Sequence, residues 1–168
     1  MPTEAENPEA IRCISEHNWD IPLAHKLMAG CETTIVPSMI WSPRIGIAAD
    51  YAGGTALLLD LLGAVGDGLD GDGEFAEFSE CVAKTTAHLE KQRARYFLLE
   101  TGEMISVTND DPVAGVQRLV SDGIPAAVAQ AKAAIAGEND DWLASVRTDW
   151  REHFASFYSD ALYFSFPG

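Results

Sequence analysis

The stretch DGLDGDGEFAEF, from Asp67 to Phe78, sets five carboxylates among glycines, the composition of a calcium loop. An EF-hand loop needs oxygen ligands at positions one, three and five, a glycine at six for the sharp turn and a bidentate glutamate at twelve. Counted from Asp70, the first three ligands are met by Asp70, Asp72 and Glu74, but position six is Phe75 and position twelve is Cys81. Counted from Asp67, position three is Leu69 and the loop fails at once. A glycine-rich connection explains the residues better: Asp72 caps the helix that follows, and Glu74 and Glu77 favour the positive end of its dipole.

Other ligand-bearing residues are irregularly spaced. His17 follows Cys13 by four positions and His25 precedes Cys31 by six, whereas structural zinc sites offer two close pairs of short, regular spacing. Buried thiols beside ordinary histidines are the expectation, with no metal and no cofactor. Nor does the chain hold a G-x-S-x-G elbow, a Walker loop, a G-x-G-x-x-G fingerprint or an H-E-x-x-H pair, so no catalytic residue is nominated. The run AADYAGG reads as a strand leading into a glycine turn and a helix, a weak phosphate cradle without a lysine.

The elements that must position any site follow from periodicity. Asp20 is placed to cap a short helix ending at Gly30, with Pro22 in its first turn. TTIVPSMIW and RIGIAAD form a β-hairpin, and a helix from Tyr51 to Leu62 is dismantled by Gly63, Gly66 and Gly68. In the helix after Asp72, the residues Phe75, Phe78, Val82, Thr85 or Thr86, and Leu89 make one buried stripe. YFLLETGEMISV gives a strand, a turn and a second short strand. Two helical pieces interrupted at Gly123 and Pro125 follow. Next comes a helix capped by Asn139 or Asp140 with Trp142, Val146, Trp150 and Phe154 on one core face, and ALYFSF closes the chain as a strand. Helices and strands without regular βαβ alternation define an α+β fold with a small, largely antiparallel sheet. A single domain over 11–168 is expected, preceded by a flexible segment over 1–10 that has little to bury.

With 168 residues, the chain is long enough to bury roughly 70% of its unfolded surface without disulfide or metal staples. Hydrophobic residues make up 47% and mean hydropathy is −0.02, a folding composition. Twenty-six acidic against 11 basic residues leave a formal charge of −15, which repels phosphate backbones and anionic lipids and suits a basic protein partner. Nucleic acid and membrane are therefore excluded as expected partners. Three widely spaced cysteines without a C-x-x-C pair, and a start lacking basic and apolar regions of a leader, point to reduced thiols in the cytoplasm.

The residues ISEHNWDIPLAHKLMAG, then IAADYAGGTALLLDLL and ARYFLLETGEMISV, resemble an uncharacterised family of small acidic bacterial proteins with the pattern S-E-x-N-[WY]-x-I-P-L-x-x-K. The resemblance covers roughly 14–107. It implies an association with toxin and immunity loci; proteins of this kind begin with an extra N-terminal strand, and this sequence departs from them where Met1 leads directly into PTEAENPEA, so that either the strand is lacking or the start lies inside a longer reading frame. Charge and resemblance together suggest an immunity protein that neutralises a toxic effector by direct binding. In SEHNWD one large aromatic stands among polar groups, a composition typical of interface hot spots with an acidic rim. Glu16, Asn18, Trp19 and Asp20 are thus the expected contacts, with Asp70 and Asp72 as a second patch. Two alternatives stay open: a small enzyme or metal-dependent protein using Glu16, His17 and Asp20 in a cleft, and a housekeeping interaction module.

Overall fold

The computed structural model describes residues 12–13, 21–37, 45–69, 72–91, 94–99, 111–154 and 164–166. Five strands among them, β1 (Arg12–Cys13), β2 (Thr34–Val36), β3 (Gly46–Asp50), β4 (Tyr96–Leu99) and β5 (Phe164–Phe166), form one sheet in the order β1-β5-β4-β3-β2. Every neighbouring pair is antiparallel. The expected hairpin is β2 with β3, in register Thr34 to Ala48 and Val36 to Gly46. Among the described residues seven helices accompany the sheet: α1 (Leu23–Met28), α2 (Tyr51–Gly66), α3 (Asp72–Lys91), α4 (Pro112–Arg118), α5 (Ile124–Ile135), α6 (Asp140–Thr148) and α7 (Trp150–Phe154). The fold is α+β, as the pattern of runs implied.

Pleating sorts the sheet residues into two sets. Ile47, Ala49, Phe97 and Leu99 join the main core with the helices, while Val36, Ala48 and Leu98 bury in a smaller cluster against Tyr96. Helix α2 is the hub of the helical layer, packing on α1, α3, α5 and α6 and burying Leu58, Leu61, Leu62 and Val65. Removing a leucine side chain from water contributes roughly 1.5–3 kcal/mol, so this one stripe outweighs what any exposed ion pair of the molecule supplies.

Both ends of α2 are closed by side chains. Asp50 accepts a hydrogen bond from the Gly53 amide at 2.7 Å. At the other end the Arg147 guanidinium donates to the carbonyls of Val65 (3.0 Å) and Ala64 (2.9 Å), satisfying groups that the last turn leaves open.

Four local expectations are revised. The N-cap of α1 is Pro22, two positions beyond Asp20, and the carbonyl of Pro22 accepts from the His25 and Lys26 amides. Helix α2 runs through Gly63 to Gly66, because its leucine stripe outweighs one helix-weakening residue. The interruption before Pro125 is not a break: a π-helical turn, Leu119–Gly123, joins α4 to α5, widening the backbone where a proline ring would clash with the preceding turn. The helix through Trp142 and Trp150 divides at Asp149 into α6 and α7, which buries Trp150 fully and Trp142 in part.

Candidate functional site

Helix α1 and the facing α5, α6 and α7 enclose a cleft of about 770 Å³. It mixes the apolar residues Ile21 and Trp142 with Lys26, Ser145, Glu152 and His153. Ile21 and Pro22, which follow Asp20 directly in the chain, lie on its wall. The sequence-derived contacts Glu16, Asn18, Trp19, Asp20 and Asp70 lie outside the described residues, as does His17, and Asp72 is the first residue of α3. The second strand expected after Thr101 and the segment over 1–10 also lie outside them.

A second concavity is the groove between α2 and α3, about 400 Å³. Leu59, Leu62, Gly63 and Gly66 form one wall; Phe75, Phe78, Val82 and Thr86 belong to the other. The expected stripe on α3 holds for Phe78, Thr85 and Leu89, which are buried, but Phe75 is 48% exposed. The physical reason lies opposite: the α2 residues that share the groove with Phe75 include two glycines, which offer no side chain to cover it. Gly63 is the odder of the two. A Cβ added there would meet nothing within 4 Å, although glycine inside a helix costs about 1 kcal/mol relative to alanine. Sequence reasoning missed this groove. Its signal was Gly63, read as a helix terminator instead of as a bare position on a helix face; Gly66 answers the close approach of Phe78.

The described thiols are poor nucleophiles. Cys31 and Cys81 are both free. Burial pushes the Cys31 thiol up, with the carboxylates of Asp50 and Glu32 acting in the same direction, so the thiolate is scarce at neutral pH. Burial also raises Cys81, against a smaller opposing effect from its hydrogen bond with Thr85. His25, offered by the sequence as a ligand beside Cys31, is fully buried in the core face of α1. Among the described residues no three His, Cys, Asp or Glu side chains converge as a metal site requires.

Charged contacts on α3 are structural. Arg151 donates to Glu77 through Nε (3.1 Å) and Nη2 (2.6 Å), and this pairing holds the Glu77 carboxyl below the usual range. Arg151 also lies 4.4 Å over the Trp150 ring, whose Nε1 donates to Glu74 at 3.2 Å.

Fold and concavities define an acidic α+β domain with an apolar helical groove and a mixed cleft. The chain belongs to the family described as a domain of unknown function (DUF7822), which matches residues 1–146 and so spans strands β1 to β4 and the helices into α6. No curated protein and no solved structure matches it. No helix of the described residues is long and apolar enough to cross a membrane.

Proposed function

We propose that the protein is an acidic binding protein and, more specifically, an immunity protein of the cytoplasm that neutralises a basic toxic effector by occupying its working surface. The observation that carries this reading is the excess of 26 acidic over 11 basic residues. Carboxylates lie exposed on separate elements, Asp60 on α2, Glu80 on α3, Asp122 on the π turn and Asp140 and Asp141 on α6, so the negative field is broad. Enzymes that act on polyanions are commonly basic, and such a field speeds their encounter and competes with their substrate. Glu16, Asn18, Trp19 and Asp20 remain the proposed contacts, with Asp70 and Asp72 as a second patch.

Co-expression with the product of each adjoining gene tests the reading. One product is expected to arrest growth alone, to be silenced by this protein and to co-purify with it as a stoichiometric complex. Replacing Trp19 and Glu16 together by alanine is expected to weaken that complex at least about tenfold with the melting temperature nearly unchanged. If no neighbouring product is toxic and none binds, the immunity reading is wrong.

A further inference from the structure

We propose that the groove between α2 and α3 is the docking site for an amphipathic helix carried by the basic partner; this rests on the acidic-binder reading and adds a contact to those named for it. Three observations converge on one occupant. The groove wall from Phe75 to Thr86 covers about 16 Å of helix at 1.5 Å per residue, the length of three helical turns. Its floor is apolar and one aromatic, Phe75, stands half out of it. Helix-in-groove recognition uses anchors at i, i+3, i+4 and i+7, and an exposed aromatic beside a hydrophobic trough is the complement such anchors need.

Gly63 supplies the second observation. Glycine in a helix normally answers a close approach, and at Gly54 it does: an added Cβ would run into the Met28 carbonyl of α1. At Gly63 no atom of the described fold makes the demand, and its backbone is exposed on the groove wall. An unfavourable residue kept bare towards open space fits a surface that another backbone approaches.

Charge selects among occupants. Asp60 on α2 and Asp67 at its C-cap are exposed, seven positions and hence about 10.5 Å apart along the helix axis, and Asp67 lines the groove. On α3, Glu80 pairs with Lys84 at 2.8 Å and leaves no net positive charge to offset them. Lysine or arginine two turns apart on the incoming helix would face both aspartates. A second copy of the chain would instead bring another formal charge of −15 against them.

The probe is a synthetic four-turn helical peptide with leucines at i, i+3, i+4 and i+7 and lysines flanking them, titrated calorimetrically beside a twin with glutamates for lysines. Binding of the lysine peptide and not the glutamate twin is expected. Gly63→Leu, whose Cβ meets nothing within 4 Å and whose side chain is meant to occupy the trough, should weaken binding at least tenfold, and Asp60→Asn with Asp67→Asn about threefold to tenfold. Equal affinity for Gly63→Leu, or for the glutamate twin, overturns the proposal. So does a dimer in sedimentation that Gly63→Leu abolishes, which makes a second copy the occupant. A marked fall in melting temperature in Gly63→Leu does the same, since it means a segment of this chain already fills the groove. Finally, a neutralised toxin that binds wild type and Gly63→Leu alike sinks the groove and leaves the acidic-binder reading intact. A Gly63-dependent peptide complex with no toxic neighbour keeps the groove and sinks the immunity reading.

Discussion

Gly54 and Gly63 lie on the same helix and answer to opposite constraints, so alanine at each should move stability in opposite directions. Gly54→Ala forces a methyl into the Met28 backbone and is expected to destabilise by about 1–3 kcal/mol. Gly63→Ala adds a methyl in open space and is expected to stabilise by up to about 1 kcal/mol. Urea titration of the two variants checks the signs, and two changes of the same sign would contradict this account. Tyr51 gives a second residue-scale test. Its phenol is buried and donates to the Leu89 carbonyl at 2.7 Å, tying the start of α2 to the end of α3. Tyr51→Phe leaves that carbonyl without the phenol and should cost about 1–3 kcal/mol. Burial pushes the phenol pKa above its ordinary 10.0. Stability resting on the neutral ring is therefore fully present below pH 10.0 and drains as pH rises beyond it. Melting curves of wild type should sag in alkali more than those of Tyr51→Phe.

At the scale of elements, α7 is held to α3 by one cluster. Trp150 is 1% exposed, meets Phe78 edge-on at 5.1 Å, and carries Arg151 on its outer face. Trp150→Ala should cost about 3–5 kcal/mol in chemical denaturation, chiefly through the cavity it leaves. The exposed Glu77 to Arg151 pair matters less. Because the Glu77 pKa is depressed, its contribution is present at neutral pH and disappears as pH falls through the lowered value, so wild type and Glu77→Gln should converge in acid melts. The same cluster shows why sequence reading succeeds in one place and fails in another. The hairpin of β2 and β3 was legible because β-branched residues and flanking prolines are local signals. The division at Asp149 was not, since no glycine or proline marks it; the docking of Trp150 against Phe78 on α3 is contact with a distant part of the chain. Phe75 was assigned to the core for a related reason. Periodicity says which face of a helix is apolar, and what the partner helix presents, here the bare Gly63, decides whether that face is covered. Of the candidate site, the acidic character could be read from composition alone, while the groove needed the pairing of two helices.

Taken as a whole, a molecule with a formal charge of −15 repels itself, and counter-ions relieve that strain. Raising salt from roughly 0.01 M to 0.15 M shortens the screening length from about 30 Å to about 8 Å, so the melting temperature should rise over that range while the association rate with a basic partner falls. A melting temperature that drops with salt would show that attractive ion pairs, not net repulsion, dominate the native state. The thiols offer an independent check: alkylation of Cys31 and Cys81 at neutral pH should be slow in the native protein and fast in urea.

The strand order has a consequence in time. Strand β5 lies between β1 and β4, so β1 finds its partner only when residues 164–166 arrive, Arg12 beside Ser165 and Cys13 beside Phe164. Strands β2, β3 and β4 are nearer in sequence, and α2 and α3 fill the interval between β3 and β4. Closing the shorter loops costs less entropy than closing the long loop from β1 to β5, so the expected order of assembly is the hairpin and its helices first and the β4 to β5 to β1 edge last. In that order of assembly the edge of β4 stays open until Phe164–Phe166 arrives, an interval in which any partner able to lend a strand could compete for the place of β5.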